Sequence, residues 1–596
     1  MRIGVLDGYV DEPANFGVPP YLAPQPRYVY GAIREAGAES LYVPIDRYRR
    51  DGDARARLKS CDAVVLYASA LVPGKYLRGR PIEFDEALLF AKKNPGKVIL
   101  GGGCAVYGFS QGGGLAPKSR NVLKPYLLGL STLDTDAYVW DYLHGRFSTQ
   151  EARSASFEEY GVTPPPTAFV ESGGRLLLRM TDAQGEPLQR RRTLTEWERF
   201  ARAGVACAQE HPDFPHPLIA ELETYTGCVR YVNGGCRFCL EPREGKPLFR
   251  DEAGIVEEVR GLYALGVRNF RLGGQTCFFC YKTTTLGQGD RPRPNPEAIE
   301  RLLSGIREAA PNLRVLHIDN ANPAILATWP DETREITRSI VRHCTPGNVA
   351  AFGLESVDVR VAAANNLNAT PEEVRAAVRI LNEEGGARGA NGMPHVLPGL
   401  NFIAGLAGEA ADTNDQNLAF LEGIHAEGLQ LRRLNLRQLL PITGGLQAVD
   451  AKTHRRFLEF KRKVRTEIDT PMLKRMLPAG TVLRDVWLEQ RDGNVTFGRQ
   501  IGSYPLLVGI PYALPLEAFA DVVITDHGQR SVTGFHSPFP INSAAEKMFE
   551  ALPGLGRARA GAAVAGQPYA SVEEFCDRLH LETAERERLV PHLTAS

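Results

Sequence analysis

Cys228, Cys236 and Cys239 share one short stretch, GCVRYVNGGCRFCLEPR, and thiols this close together in a chain suggest a metal loop. Soft sulfur ligands select zinc or iron–sulfur clusters. Three ligands rather than four leave one metal position open for chemistry. Two further polar groups follow apolar runs: Asp319, Asn320 and Asn322 in LHIDNANP, and Arg433, Asn435 and Arg437 in LRRLNLRQ. Alternation along a strand aims every second side chain at one face, so these positions are expected to line a cavity that substrate or cofactor would satisfy. The alternative is that Asp319 and the arginines pair internally. His317 is expected to be structural.

The elements around these residues set their geometry. The run LIAELETYT precedes the cysteines and the amphipathic DEAGIVEEVRGLYALG follows them. From about 218 to 440 the strand candidates LIAELE, VRNFRLGG, LRVLHID, NVAAFGLE, LNFIAGL and RRLNLRQL alternate with helical stretches such as PEEVRAAVRILNEEG. Six βα repeats predict a partial, TIM-like (βα)6 barrel, in which chemistry gathers at the C-terminal strand ends. The cysteine loop falls at the first such end.

The expected organisation is an α/β chain in six parts. Residues 1–145, with IGVLDG, SLYVPI, AVVLYAS and KVILGGG between helical stretches, read as a small parallel domain. Gly101 to Gly103 read as a tight turn, because no GxGxxG spacing accompanies them. Residues 146–205, with the hairpin-like FVESGGRLLLRM, connect to the core at 206–450. A basic helical linker at 451–475 carries nine Lys or Arg against three acids. Residues 476–536 are β-rich with frequent turn signals, which suggests a small closed barrel of the oligonucleotide-binding class. Residues 537–596 read as a helical hairpin turning at Pro553-Gly554-Leu555-Gly556.

A chain of 596 residues with 70 basic and 70 acidic side chains has no global charge to select a partner, so any nucleic-acid surface must be local. No signal peptide and no run of about 18 apolar residues occurs, so a cytoplasmic protein without a membrane partner is expected. In that reducing setting ten cysteines, bunched mid-chain, point to metal or catalysis rather than disulfides.

The core resembles the radical S-adenosylmethionine (radical SAM) superfamily. The resemblance implies a [4Fe-4S] cluster on Cys228, Cys236 and Cys239, with its fourth iron bound by S-adenosylmethionine, and a one-electron donor of ferredoxin or flavodoxin type. One electron through the cluster would split S-adenosylmethionine into methionine and a deoxyadenosyl radical that abstracts hydrogen from a substrate. Gly273-Gly274-Gln275 resembles the glycine-glycine-acid motif that receives the amino group of S-adenosylmethionine. Glu355 and Ser356 resemble the fourth-strand polar pair, and Gly405, in GLAGE, the fifth-strand turn near the adenine. Two departures stand out: seven residues separate the first two cysteines where three are usual, and Gln275 replaces an acid. A Cys₄ zinc ribbon from Cys236, Cys239, Cys277 and Cys280 is the alternative, although 37 residues separate its pairs where 15 to 20 are common. Cys277 and Cys280 are otherwise candidates for an auxiliary cluster or for packing.

Residues 476–536 resemble the TRAM domain of transfer-RNA-modifying radical SAM enzymes, where Arg499 and Arg530 would meet phosphates or bases, and the tail resembles a helix-hairpin-helix, where Gly554, Gly556 and Arg557 would receive a phosphate. Together these match uncharacterised, mainly archaeal, radical SAM proteins with a C-terminal helix-hairpin-helix. The N-terminal part resembles a Rossmann-like, cobalamin-binding-like domain, but GVLDGYVDEP lacks the axial histidine, so cobalamin is not expected, or is expected without histidine ligation. The resulting expectation is a radical SAM enzyme modifying RNA such as tRNA. The alternatives are the same chemistry on a small molecule, or a non-catalytic, zinc-stabilised nucleic-acid-binding protein.

Overall fold

The computed structural model describes residues 1–9, 21–68, 80–111, 114–116, 119–146, 169–172, 175–178, 189–439 and 449–595. The architecture is mixed α/β. Near the N-terminus, the apolar runs Arg2–Asp7, Glu39–Pro44, Ala63–Tyr67, Val98–Gly101 and Leu127–Leu130 form a five-stranded parallel sheet. In chain order its strands lie 2-1-3-4-5, a doubly wound arrangement in which the order reverses beside the first strand. The strands read as continuous hydrophobic runs because helices cover both faces.

Asp7 ends the first strand fully buried, accepting from Tyr42 OH at 2.6 Å and the Tyr9 N–H at 2.8 Å. Burial outweighs these bonds and pushes the carboxyl from its ordinary 3.8 up to about 6. The folded chain therefore keeps a proton that the unfolded chain has lost, and stability falls as pH rises through this window. Asp7→Asn is expected to remove that slope between about pH 4 and pH 6, read as the urea midpoint against pH.

The predicted core strands all form, and all are parallel. Ala220–Glu223, Asn269–Gly273 and Val315–His317 make one sheet. Asn320–Ala321, Asn348–Glu355, Val396–Ala404 and Arg433–Gln438 make another. The stretch 315–321 passes from one to the other, so six strand segments follow in sequence order. Helices return between them, four opening with proline at the first turn: Pro296–Ala309, Pro323–Thr328, Pro330–His343 and Pro371–Gly385. Leu22 pairs in parallel with Ala220, which carries the N-terminal segment along the edge of the first core strand.

The basic linker is helical throughout, as Ala451–Lys463, a π turn at Val464–Asp469 and Thr470–Met476, with Phe457, Phe460, Val464, Ile468 and Met472 packed on the core. Beyond it a closed barrel runs Val482–Asp492, Val495–Gln500, Leu507–Ile510, Ser531–Ser537, Ala518–His527, an order of 1-2-3-5-4 in chain numbering. The tail follows as short helices, including Glu546–Phe549 and Arg557–Ala565 around the Pro553–Gly556 turn. The hairpin Phe169–Ser172 with Arg175–Leu178 forms as read, while most of the connecting segment lies outside the described residues. No helix among the described residues is long and apolar enough to cross a membrane.

The barrel is not an appendage. Its loop at 501–506 enters the core: Ser503 N–H donates to His317 Nδ1 at 3.1 Å, Tyr21 OH donates to the Ser503 carbonyl at 2.7 Å, and Tyr504 OH donates to Asp319 at 2.6 Å. His317 is thus structural, and its burial pushes its pKa down to about 4.

Candidate functional site

The three cysteines sit on a loop leaving the C-terminal end of the first core strand. Its base is a two-stranded ribbon, Tyr225–Thr226 against Leu248–Phe249. Cys228 caps the following 3-10 turn, its sulfur accepting from the Arg230 N–H. Gly235 then turns left-handed at φ 61°, and a side chain there would collide with Pro242, so glycine is required. Cys236 and Cys239 close a tight turn through Cys239 N–H to the Cys236 carbonyl at 3.0 Å.

Arg230, nearly buried, holds this loop in shape. It donates to Cys236 Sγ at 3.1 Å and to the Asn366 carbonyl at 2.9 Å, while Asn366 returns a bond to the Gly235 carbonyl at 2.8 Å. Asn366 itself sits left-handed at φ 51° at the end of Val359–Asn365.

Cys228, Cys236 and Cys239 are half-buried, whereas the other seven cysteines are buried. Their thiols lie within electrostatic reach of one another, Cys239 feeling both others. Burial raises all three pKa values, that of Cys236 to about 11, so a metal would have to displace their protons. Among the described residues no three His, Cys, Asp or Glu side chains converge on one ion. A cubane presents a different iron to each thiolate, so its ligands stand further apart than those of a single ion.

The geometry does not assemble the Cys₄ ribbon. Cys277 and Cys280 are fully buried free thiols, hydrogen-bonded to each other, and Cys277 Sγ accepts from the Asn322 N–H at 3.2 Å.

The other expected residues divide by their partners. Gly274, left-handed at φ 78°, lies against Glu223 beside a cavity that it helps to line. Gly273 packs on the Glu221 carboxylate, which would have to shift to admit a side chain there. The Gln275 amide is spent internally, accepting from Thr224 at 3.3 Å and donating to the Leu272 carbonyl at 2.8 Å. Glu355 adopts φ 63°, a conformation rare for a non-glycine residue and a mark of functional sites. Its Oε2 is buried with no hydrogen-bond partner among the described residues. Burial pushes it up to about 8 despite Arg437 nearby. Ser356 instead bonds Asn417 and the Asp358 N–H. Gly405, at φ 92°, donates its N–H to Glu409 at 2.7 Å.

The polar groups of the third and sixth strands are largely paired internally. Asp319 is 4% exposed and held by Arg271 at 2.6 Å as well as by Tyr504. Asn320 donates to the Gln275 carbonyl, and Asn322 caps Pro323–Thr328. Arg433 donates to Asn435 at 2.6 Å, and Asn435 to Asn401 at 2.7 Å.

The C-terminal expectations change more. Arg499 is 4% exposed and ion-paired with Glu489 at 2.8 Å, so it is turned away from any nucleic-acid surface. Gly554 is left-handed at φ 85°, but the Glu585 carboxylate lies against it and pairs with Arg559 at 2.7 Å, which opposes a phosphate at that turn. Gly556 caps Arg557–Ala565, and Arg557 is exposed.

The cavity beside Gly274 was not foreseen. It holds about 220 Å³ between the strand ends of the N-terminal sheet and the cysteine loop, with Gln25, Thr135, Arg192, Glu223 and Glu241 in its lining. Among the described residues Gln25 Oε1 and Thr135 Oγ1 are buried without partners. Glu223 is bonded by Gln25 and by Arg192 at 3.2 Å. These residues are far apart in sequence, and no local motif marks them.

No protein-family model matches the chain. An uncharacterized protein of Methanocaldococcus jannaschii is 42% identical over 547 residues, covering 90% of this chain and 93% of the relative. One from Archaeoglobus fulgidus is 38% identical over 567 residues, 94% of each. The chain belongs to the family of these two archaeal proteins. Among solved structures, the radical SAM enzyme coproporphyrinogen III oxidase of Escherichia coli aligns with TM-score 0.31 and 13% identity, over 50% of this chain and 70% of the oxidase. A putative α-L-fucosidase of Bacteroides thetaiotaomicron aligns at 0.21 and 13%, over 35% and 60%. At those scores neither likeness bears on the reaction.

Proposed function

We propose that this protein is a radical SAM enzyme whose [4Fe-4S] cluster is held by Cys228, Cys236 and Cys239. The observation that carries the proposal is the arrangement of three half-buried thiols on a rigid glycine loop at a parallel-strand end, while every other cysteine is buried. The orphaned Glu355 Oε2 and the left-handed Gly274 fit a polar cofactor beside that loop. When bound and reduced, the cluster and S-adenosylmethionine would supply a hydrogen-abstracting radical. Arg230 orients the Cys236 sulfur, the Gly274 backbone gives close approach, Glu355 offers a buried carboxyl to a donor on the ligand, and Gln25, Tyr67 and Thr135 of the N-terminal domain wall one side of the cavity.

RNA is the proposed substrate. The closed barrel with order 1-2-3-5-4 and the basic helix Ala451–Lys463 support it. A small molecule is the second reading, favoured by the cavity itself, whose orphaned Gln25 oxygen and acids suit a ligand rich in N–H or O–H donors. The reduced, reconstituted protein is expected to convert S-adenosylmethionine into methionine and 5′-deoxyadenosine. Mass spectrometry of modified nucleosides from cells with and without the gene then separates the substrates: a missing nucleoside supports RNA, and an unchanged profile supports the small molecule.

A further inference from the structure

A cavity of about 520 Å³ opens where the barrel meets the core, lined by Asn269, Arg314 and Pro346 of the core and by Asp485, Gln500 and Phe519 of the barrel. Asn269 begins the strand Asn269–Gly273, Arg314 precedes Val315–His317, and Pro346 precedes Asn348–Glu355. The cavity therefore lies at the N-terminal ends of the core strands, opposite the cysteine loop, and shares nothing with the candidate site above. Its volume is that of an ordinary small-molecule pocket.

Its walls suit a flat, polar ligand. The Arg314 guanidinium lies 4.4 Å over the centre of the Phe519 ring and donates to Asp485 at 3.2 Å. Phe519 is itself packed by Trp487 and His216, at 4.9 and 5.4 Å between ring centres. One side of the guanidinium is thus backed by a ring and its edge is pinned, while the side chain stays 44% exposed. Asp485 reaches it from a left-handed conformation at φ 55°, where the barrel ladder shifts register between Leu483 and Val486. Such bulges re-aim side chains beside functional sites. Gln500 fastens the bulge to the core, donating to the Arg484 and Asn391 carbonyls, both at 2.7 Å. Asn269, fully buried, donates Nδ2 to the Leu218 carbonyl at 2.9 Å and leaves Oδ1 with no partner among the described residues. A buried acceptor in that state is costly until a donor meets it. Unstacked bases stack on guanidinium planes and carry N–H groups on their edges.

We propose that this pocket holds one unpaired nucleobase, stacked on the side of Arg314 turned away from Phe519 and giving an edge N–H to Asn269 Oδ1. The base is that of an RNA strand or that of a free nucleotide. In its RNA form the inference rests on the RNA reading above, and in neither form does it depend on the radical chemistry. Fluorescence anisotropy of a labelled, single-stranded RNA oligonucleotide of mixed sequence with the full chain tests it, alongside calorimetry with AMP and UMP.

Arg314→Lys keeps the charge but not the plane, and Arg314→Ala keeps neither. Both are expected to weaken binding alike, by roughly fivefold or more, the size of one lost base stack. Because Arg314 is exposed, both are expected to keep the wild-type urea midpoint. Weakened RNA binding in both variants, with or without a matching loss for AMP and UMP, assigns the pocket to an RNA base. A loss confined to AMP and UMP assigns it to a free nucleotide. Binding of every probe unchanged in both variants would overturn the pocket while leaving the RNA reading standing, and no binding of any probe would overturn both. An Arg314→Lys protein that binds like the wild type while Arg314→Ala is weakened would mean a charge contact without stacking, and would also overturn the proposal, as would a loss of binding that merely follows a lowered urea midpoint.

Discussion

Cys236→Ala is expected to lose the cluster outright: no iron retained after anaerobic reconstitution and no cleavage of S-adenosylmethionine. Two flanking variants give the result its meaning. Cys277→Ala and Cys280→Ala are expected to keep iron, because both thiols are fully buried and Cys277 is committed to the Asn322 N–H and to Cys280. Arg230→Met is expected to weaken the cluster by about ten- to a hundredfold, the usual cost of a residue that orients a metal ligand. The loop would then lose the bond to Cys236 and its tie to Asn366. Iron content and 5′-deoxyadenosine yield, measured on the same samples, check all four variants. Iron lost from Cys277→Ala as readily as from Cys236→Ala would place the metal elsewhere.

The second large effect is on stability. Glu258 is fully buried between Arg27 and Arg250, themselves fully buried. Arg27 comes from Pro24–Glu35 and donates to the Glu221 carbonyl at 2.7 Å; Arg250 donates to Glu258 and to Glu198, both at 2.7 Å. The trio clamps the N-terminal segment to the first core strand and to Glu252–Leu265. Glu258→Ala would strand two guanidiniums out of water and is expected to cost about 3–5 kcal/mol, as removing one partner of a buried ion pair does. Burial alone would raise the Glu258 pKa, but the two arginines hold it below the ordinary 4.5. Its contribution is therefore present at neutral pH and is lost only as acid protonates it in the folded state. Urea unfolding at pH 7 and in acid measures both. A small loss, equal at the two pH values, would mean that the trio is not the clamp.

Much of this arrangement was legible in the chain. Period-two apolar runs and proline-opened helices marked the core strands at 218–440, because both signals are local. The cysteine loop was equally legible, since its glycines and sulfurs sit within a dozen residues of one another. What escaped was every feature made by distant segments meeting. Arg230 is visible in the loop, but nothing local pairs it with Asn366. Gln25 and Thr135 reach Gly274 only because the N-terminal sheet docks over the strand ends. Arg499 looks like a surface cation in GRQ until the barrel closes and buries it against Glu489. Tyr504 carries the strongest lesson. A cut at 476 looks clean in sequence, yet it would remove the hydroxyl that holds Asp319 and expose the core face around His317. A test of the barrel's role is therefore better made with point variants than by truncation.

The most direct measurement is metal and sulfide analysis with electron paramagnetic resonance on the full chain, purified and reconstituted without oxygen. The account predicts a brown protein with iron and acid-labile sulfide in equal amounts, and a reduced [4Fe-4S] signal that changes when S-adenosylmethionine is added. A colourless protein that holds zinc, or an iron signal indifferent to S-adenosylmethionine, would contradict it.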